Sequence, residues 1–435
     1  MYITLKNGIK LYYEEYGKED GYPLLFLHGN SESLEIFNYF FDKLNNYRLI
    51  FVDSRCHGKS SFGPLHFNLM AEDFELLIEE LSLERLSIIG FSDGGIISIL
   101  LSMKLKKIDK IFSIGPNLNP LGLKYDAINQ MKIDYEVSHS IYTKLDLEEP
   151  NIDPIELKDV QTRAIIIRGE NDCIKEEHID LINKSFNNST LYVIKDSSHM
   201  VPIDKPDKLL EIIENELSLD IYYEDNHVIV VDKKVGILSQ EDSSKEPDLM
   251  AITKRYLKIK YDKPGNVYLG LIQRLDRNVS GLMILSKTTK ATTRLNASRP
   301  KKHYLAVAHG EFKTKEDTLV DYIEKDEDKR IAFSSNKGKI AILRYKVLNY
   351  KNDLSLVDVF IETGRFHQIR YQLSKIGHPL YNDSKYGKSD DDKDYGIGLD
   401  AYKVEFLHPI TSSLITIERY PKRQIFSNFD NEKSD

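Results

Sequence analysis

Residues 86–95 read Leu86-Ser87-Ile88-Ile89-Gly90-Phe91-Ser92-Asp93-Gly94-Gly95 and determine the fold expected for the first half of the chain. A short apolar run, typical of a buried strand, leads into a glycine-rich turn, and a helical pattern follows. The glycines on both sides of Ser92 permit a sharp turn, which would expose its hydroxyl beside the N-terminus of the next helix. The stretch predicts a strand–turn–helix unit with Ser92 as a candidate nucleophile.

Five further apolar runs in this half are short and rich in Ile, Leu or Val, as buried strands are, and they lie at 23–27, 49–52, 111–114, 164–167 and 191–194. Helical patterns lie between or after them, at 68–81, 96–107 and 207–217. This alternation predicts a mostly parallel sheet with helices on both faces. Residues 116–159 interrupt the alternation and form a candidate lid.

Two polar residues follow the late strands of this half. Asp172 comes after the run 164–167, and His199 comes after the run 191–194. The chain order serine, acid, histidine resembles that of the α/β-hydrolases, and the resemblance covers about residues 1–217. We therefore expect residues 1–217 to form an α/β-hydrolase domain.

The resemblance to the hydrolases implies a role for each of these residues. Ser92 would be the nucleophile, His199 the general base and Asp172 the group that orients the imidazole. The backbone N–H groups of Asn30 and Asp93 would form the oxyanion hole. The fold and triad do not name a substrate, so an ester or another small acyl compound is the expected class.

The second half carries a longer motif at residues 273–287, which read Gln273-Arg274-Leu275-Asp276-Arg277-Asn278-Val279-Ser280-Gly281-Leu282-Met283-Ile284-Leu285-Ser286-Lys287. This stretch resembles the first catalytic motif of the RluA-type pseudouridine synthases, H-R-L-D-x-x-T-S-G-x-x-x-x-A-K. Its departures from that motif include Gln273 and Val279, which bear on target choice or rate more than on the reaction.

Further segments resemble the same family in the same order, at 223–233, 302–310, 363–370 and 377–387. The resemblance covers about residues 220–420. It implies that residues 218–435 form an α+β domain of the pseudouridine synthase fold, with a mixed, mainly antiparallel sheet. The reaction would need no cofactor, and the sequence contains no recognisable metal-ligand cluster.

Pseudouridine formation breaks the bond between uracil nitrogen and ribose, and the freed base is rejoined through carbon 5. Asp276 offers the carboxylate near the sugar, either as a nucleophile or as the group that starts glycal formation. Arg370 is expected to keep this carboxylate charged, because a buried carboxylate without a cation tends to take up a proton. Tyr304 would stack on the flipped uracil, and we expect it to take the carbon-5 proton.

The helix predicted at 366–376 has apolar residues at helical spacing, which mark the expected buried face: Phe366, Ile369, Leu373 and Ile376. Arg370 lies on an adjoining stripe with His367 and Ser374. This position would allow Arg370 to point into a cleft while the helix packs against the domain.

RNA is the expected partner of the second half. Residues 218–435 carry 37 Lys and Arg against 32 Asp and Glu, a net charge of +5, whereas residues 1–217 carry 23 against 36, a net −13. The basic half would attract a polyanion. Arg274 is either a wedge that replaces the flipped base or a phosphate contact. Basic residues expected to touch an rRNA or tRNA are Lys302, Arg365, His367, Lys301, Arg294 and Arg299.

The remaining features favour a cytoplasmic protein. The two cysteines, Cys56 and Cys173, are too few for a disulfide framework. No apolar run reaches the length of a membrane helix, and the first ten residues lack the pattern of a secretory signal. The acidic run at 390–394 is expected to be a solvated loop.

Three functional hypotheses remain open from the sequence. The first is a bifunctional chain, an RNA-uridine isomerase joined to a serine hydrolase. The second is a small-molecule serine hydrolase whose second half acts only as an RNA-binding module. The third is an active synthase whose hydrolase half serves as a scaffold.

Overall fold

The computed structural model describes residues 1–243, 246, 248–390 and 396–429. Residues 391–394, most of the predicted acidic loop, lie outside this set. The chain divides into two compact units, Met1–Glu214 and Asn215–Asp435. This boundary and the one predicted from sequence, between 217 and 218, both lie within one helix, Pro206–Ser218.

The first unit contains an eight-stranded sheet, whose strands in chain order are β1 (Tyr2–Thr4), β2 (Lys10–Gly17), β3 (Tyr22–Leu27), β4 (Tyr47–Val52), β5 (Leu86–Phe91), β6 (Ile108–Ile114), β7 (Arg163–Gly169) and β8 (Ser189–Ile194). Their spatial order is β1-β2-β4-β3-β5-β6-β7-β8. The strands from β4 to β8 pair in parallel, and β1 and β2 add antiparallel. The predicted mostly parallel sheet is confirmed, and all six predicted strands are present.

The α-helices of this part of the chain are α1 (Phe67–Glu80), α2 (Asp93–Lys104), α3 (Tyr125–Ser138), α4 (Ile141–Glu148), α5 (Glu176–Ser185), α6 (Val201–Asp204) and α7 (Pro206–Ser218), and short 3₁₀ helices lie at Leu34–Phe40, Pro120–Gly122 and Pro154–Asp159. Helix α2 begins at Asp93 and ends at Lys104, so the predicted range 96–107 was wrong at both ends. The reason is that Ser92 is the N-cap, and the helix starts immediately after the turn. The candidate lid, 116–159, contains α3, α4 and two 3₁₀ turns.

The second unit contains an eleven-stranded sheet, built from β9 (Asp220–Glu224), β10 (Val228–Lys233), β11 (Gly270–Leu271), β12 (Ser280–Ser286), β13 (Lys301–His309), β14 (Glu316–Asp326), β15 (Ile331–Ser334), β16 (Lys339–Lys351), β17 (Leu354–Ile361), β18 (Leu399–Leu407) and β19 (Leu414–Glu418). Their main order is β15-β14-β16-β17-β13-β18-β12-β10-β9, with β11 on β12 and β19 on β18. In the described residues, β12 and β18 form the one parallel pair. The predicted mixed, mainly antiparallel sheet is confirmed.

The helices of the second unit are α8 (Leu249–Lys260), α9 (Thr289–Ser298), α10 (Gln368–Lys375) and α11 (Gln424–Ser427). Helix α10 is shorter than the predicted 366–376. His367 has a left-handed backbone (φ 49°), so the helix begins only after it. Ile369 and Leu373 are buried as predicted, but Phe366 and Ile376 lie outside the helix and are 36% and 39% exposed. Their predicted place on the buried face was wrong.

Each unit has its own apolar core. In the first, buried residues of α1 and α2 such as Phe74, Leu77 and Ile97 pack with the sheet. In the second, buried residues of strands β10, β12, β13 and β17 and of helix α8 pack in one cluster with Leu373 of α10. Within the described part of the chain, no helix is both long enough and apolar enough to span a bilayer.

Candidate active sites

Ser92 lies at the turn between β5 and α2, in the first unit. Its backbone has φ 51° and ψ −113°, an uncommon conformation for a residue with a side chain. Glycine is required on both sides, because a Cβ at Gly90 would lie 2.0 Å from the carbonyl oxygen of Gly94, and one at Gly94 would lie 2.0 Å from that of Leu27. The sequence therefore holds Ser92 at a sharp turn, directly before the N-terminus of α2.

The structure brings the three predicted triad residues together. Nε2 of His199 lies 2.9 Å from Oγ of Ser92, and Nδ1 lies 2.8 Å from Oδ1 of Asp172. Burial disfavours the charged imidazole, but the hydrogen bonds and charges of Asp172 and Cys173 together outweigh it and raise the pKa of His199. The arrangement thus stabilises the imidazolium that would form when Ser92 loses its proton.

Asn30 and Asp93 border the same cavity as Ser92 and His199, with a volume of about 200 Å³. The loop that carries Asn30 is held by His28. Nε2 of His28 accepts from the backbone N–H of Ser54 (2.9 Å). Nδ1 of His28 is therefore the nitrogen that donates to Gly29 O (2.8 Å). Burial, with the charge of His57, lowers the pKa of His28 to about 3, which keeps it neutral. Sequence analysis did not give His28 this role.

The candidate lid contributes much of the cavity lining, through Asn117, Leu123, Met131 and Asp146. Helix α4 of the candidate lid contacts the loop after β3, because Asn30 Nδ2 donates to the carbonyl of Tyr142 at 3.0 Å. Cys173, next to Asp172, also lines the cavity. Among the described residues, Asp172, Cys173 and His199 form the single group close enough to hold a metal, and two of these three belong to the triad.

In the second unit, Asp276 and Arg370 lie together as predicted. Nη1 of Arg370 donates to Oδ2 of Asp276 at 2.8 Å. Nε and Nη2 of Arg370 donate to the two carboxylate oxygens of Asp383, at 2.7 and 2.8 Å. Asp383 is fully buried, whereas the Asp276 side chain is 33% exposed. One guanidinium therefore links a buried carboxylate to an accessible one, and sequence analysis had given Asp383 no role.

The segment after β10 makes hydrogen bonds to the loop that carries Asp276. Ser239 Oγ donates to Leu275 O (2.7 Å) and accepts from Leu275 N (3.0 Å), and Gly236 N donates to Arg277 O (2.9 Å). Nζ of Lys233 also donates to Arg277 O, at 3.1 Å. Burial lowers the pKa of Lys233 to about 8. Sequence analysis missed Lys233, since a lysine at a strand end resembles an ordinary surface residue.

His367 was predicted to contact RNA, and its side chain lies beside the Asp276 carboxylate. Nε2 is 3.3 Å from Oδ2 of Asp276, Nδ1 is 2.9 Å from the hydroxyl of Tyr386, and the side chain is only 6% exposed. Burial lowers the pKa of His367 to about 4, against the opposing effect of Asp276. A neutral His367 would use Nε2–H to donate to Asp276 and Nδ1 to accept from Tyr386.

Tyr304 lies on β13 and is 5% exposed. Burial raises its pKa, and the negative charge of Asp276 raises it further, so the hydroxyl stays protonated near neutral pH. Lys302 lies two residues earlier on the same strand and therefore points to the same face. Burial lowers the pKa of Lys302. The structure thus brings Lys302 to the face of the sheet on which Tyr304 lies.

The other predicted RNA contacts differ in exposure. Arg274 is exposed, three residues from the end of β11. Arg365 is half-buried, and its Nε donates to Ile340 O at 2.8 Å. Gln273 and Val279, where the motif departs from the family, are both buried, and Nε2 of Gln273 donates to Leu282 O at 2.8 Å. The departures lie in the packing behind the loop and not on its exposed side.

Comparison with known proteins finds a matching family model in each half of the chain. Residues 227–375 match the family model described as RNA pseudouridylate synthase, and residues 22–146 match the model of the alpha/beta hydrolase fold. Ribosomal large subunit pseudouridine synthase D of Borreliella burgdorferi is 30% identical over 252 residues, which cover 54% of this chain and 77% of that protein. The chain belongs to the RNA pseudouridine synthase family.

Each half of the chain also resembles other proteins. The uncharacterized RNA pseudouridine synthase YhcT of Bacillus subtilis is 35% identical to the present synthase over 211 residues, which cover 46% of this chain and 68% of YhcT. An esterase from Exiguobacterium antarcticum has a TM-score of 0.44 and 20% identity, and the match covers 50% of this chain and 99% of the esterase. The sheet order of the first unit and its match to the family model show that the synthase carries a domain of the α/β-hydrolase fold.

Proposed function

We propose that the second unit of this synthase converts a uridine of a ribosomal or transfer RNA to pseudouridine, with Asp276, Tyr304 and Arg370 at the reacting nucleotide. The observation that carries this proposal is the 2.8 Å hydrogen bond from buried Arg370 to the accessible carboxylate of Asp276. Charge-assisted bonds of this kind are strong and fix the direction of a carboxylate. The named function of the Borreliella relative supports an RNA substrate.

The proposed chemistry assigns one task to each residue. Asp276 acts at the ribose, as a nucleophile or as the group that starts glycal formation. Arg370 holds the direction of its carboxylate. Tyr304, buried beside it, contacts the freed uracil and takes the carbon-5 proton as its own hydroxyl proton passes to a carboxylate oxygen of Asp276. The target uridine must leave its stack to reach them, so a single-stranded or loop uridine is the expected substrate.

Conversion of RNA by the purified full chain tests this activity. Asp276→Asn keeps the size of the side chain and removes its charge, and we expect it to abolish pseudouridine formation. Asp328→Asn removes the same charge from an exposed residue and is the matched control. If Asp276→Asn converts uridine as fast as the control does, the second unit acts as a binding module and the proposal is wrong.

The proposal includes a second activity, a serine hydrolase in the first unit that acts on a small ester. The Ser92–His199–Asp172 distances of 2.9 and 2.8 Å support it. A hydrolase of this kind uses His199 to take the serine proton and the N–H groups of Asn30 and Asp93 to hold the oxyanion. The cavity of about 200 Å³ suits a small acyl group.

Covalent labelling by a fluorophosphonate tests this activity without knowledge of the substrate. We expect the full chain to be labelled, and Ser92→Ala to lose the label. Ser138→Ala, an exposed serine at the end of α3, is the control. Labelling that is absent from the wild type, or that survives in Ser92→Ala, would favour a scaffold role for this unit.

A further inference from the structure

Three carboxylates surround the triad serine in the cavity of the first unit. Glu32 lies in the loop after β3, Asp93 is the first residue of α2, and Asp146 lies in α4 of the candidate lid. All three line the cavity together with Ser92 and His199. None of them has a part in the triad itself, so the hydrolase mechanism leaves these charges unexplained.

One oxygen of the Asp93 carboxylate has no hydrogen-bond partner. This oxygen is Oδ2, in a side chain that is only 4% exposed, and Oε2 of Glu32 also has no partner. The described residues that line the cavity include no Lys or Arg, so His199 is the one group there that can carry positive charge. Buried carboxylates without a partner are costly, and such an arrangement is typical of a ligand-binding site.

The electrostatics of the cavity agree with this view. Burial, together with repulsion by Asp146, raises the pKa of Asp93 well above its usual range. Burial also raises the pKa of Asp146 to about 6, although Asn30 and His199 oppose the shift. A cation that entered the cavity would favour the ionised forms of both groups.

A metal ion fits this set poorly. In the described part of the chain, the only three ligating groups with atoms within 4.8 Å of one another are Asp172, Cys173 and His199. Glu32, Asp93 and Asp146 therefore do not converge on a point, as ligands of a single ion must. An ammonium group does not need three converging ligands, because one charge-assisted hydrogen bond to Asp93 can hold it while nearby carboxylates attract it over a longer distance.

We infer that this cavity binds the ammonium group of a small aminoacyl compound, so that the hydrolase acts on an ester or amide whose acyl part bears a primary amine. The inference rests on the proposed hydrolase activity for its reaction. Asp93 directly follows the nucleophile, so an ammonium bound to it lies near the carbonyl that Ser92 attacks. Asp146 in the lid and Glu32 in the loop after β3 add negative charge to the same cavity.

Two matched probes measure how much the amine contributes to binding. Alanine benzyl ester and benzyl propionate differ only by the ammonium group on the acyl part. Their binding is measured by calorimetry at pH 7 with the full chain carrying Ser92→Ala, so that no turnover interferes. We expect the amino ester to bind at least about tenfold more tightly than the neutral ester.

The preference should depend on the acidic residues of the cavity. Asp146→Asn is expected to reduce the ratio of the two affinities at least about tenfold, because hydrogen bonds to charged groups are strong. Asp93→Asn and Glu32→Gln provide second and third variants in case one of them fails to fold. Glu148→Gln removes a charge from the same helix α4, where its side chain is 63% exposed, and should leave the ratio unchanged.

Turnover by the wild-type chain distinguishes this inference from the proposed hydrolase activity. Hydrolysis of benzyl propionate without any preference for the amino ester would overturn the amine site and leave the hydrolase intact. Selective binding of the amino ester to Ser92→Ala, with no hydrolysis of either ester by the wild type, would support the amine site and contradict the hydrolase. Equal binding of both probes, or a preference unchanged in the folded acid variants, would overturn the inference.

Discussion

Arg370 donates through Nη1 to Oδ2 of Asp276 at 2.8 Å, while Asp383 occupies the other side of the same guanidinium. The planar bidentate pair with Asp383 fixes the orientation of the guanidinium, and this in turn fixes the direction of its bond to Asp276. A lysine could supply the charge but not the two-sided geometry. We therefore propose Asp383 as a positioning residue for Asp276, the carboxylate proposed to act on the ribose.

Replacing Asp383 by Asn tests this positioning role. The variant leaves Arg370 buried beside a neutral amide, so we expect the free energy of unfolding to fall by about 3 kcal/mol. Where the chain remains folded, the misplaced Arg370 should slow single-turnover pseudouridine formation by roughly a hundredfold. The control is Glu316→Gln, whose exposed partner is Lys346 and whose loss should cost less than about 1 kcal/mol. Equal effects of the two variants would contradict the role of Asp383.

Tyr304→Phe removes a single hydroxyl from a side chain that is otherwise buried. If the hydroxyl takes the carbon-5 proton, single-turnover conversion should slow by about a hundred- to ten-thousand-fold, while RNA affinity changes little. Tyr322→Phe removes a hydroxyl from a side chain that is 56% exposed on β14 and serves as control. A Tyr304→Phe rate equal to that of the control would limit Tyr304 to stacking.

Arg274→Ala distinguishes the two roles left open for this exposed residue. A phosphate contact releases counterions, so its loss should reduce the slope of log affinity against log salt by about 1. A wedge acts on the flipped base, so its loss should slow conversion and leave that slope nearly unchanged. Binding at several salt concentrations, measured beside single-turnover rates, gives both quantities. RNA binding by the wild type that is insensitive to salt would contradict the RNA assignment itself.

The pKa of His367 should appear in a pH titration. Burial lowers this pKa to about 4, below the unfolded value near 6.5, so the unfolded chain binds more protons between these limits. The contribution of neutral His367 to stability is therefore complete above pH 6.5 and is lost as the pH falls through 4. Relative to His367→Gln, the wild type should lose stability across this window. NMR should show a ring that titrates near pH 4, and titration near 6.5 would contradict the burial.

Sequence patterns predicted the parts of the fold that depend on local chemistry. The apolar runs located the strands of the first unit, because buried parallel strands need continuous Ile, Leu and Val. The glycines around Ser92 predicted its turn, since close backbone contacts exclude any Cβ there. The order of Ser92, Asp172 and His199 predicted a triad that the fold brings within hydrogen-bond distance.

Residues that act through distant contacts could not be predicted in this way. Lys233 lies 43 positions before Asp276 in the chain, and only the fold brings its ammonium to the carbonyl of Arg277 in the loop that carries Asp276. The periodicity that placed Phe366 and Ile376 on a buried face failed because His367 adopts a left-handed backbone and delays the helix. The acidic cavity joins three elements, so no sequence window contains it.

The RNA pseudouridine synthase activity is tested most directly by mapping pseudouridine in total RNA from cells with the intact gene, a deletion, and an Asp276→Ala version at normal protein level. The geometry of Asp276 and Arg370 predicts a site that disappears in both the deletion and the mutant, and that site names the target RNA. A map in which every pseudouridine persists in both, with no related enzyme able to replace the missing one, would contradict the activity proposed for residues 215–429.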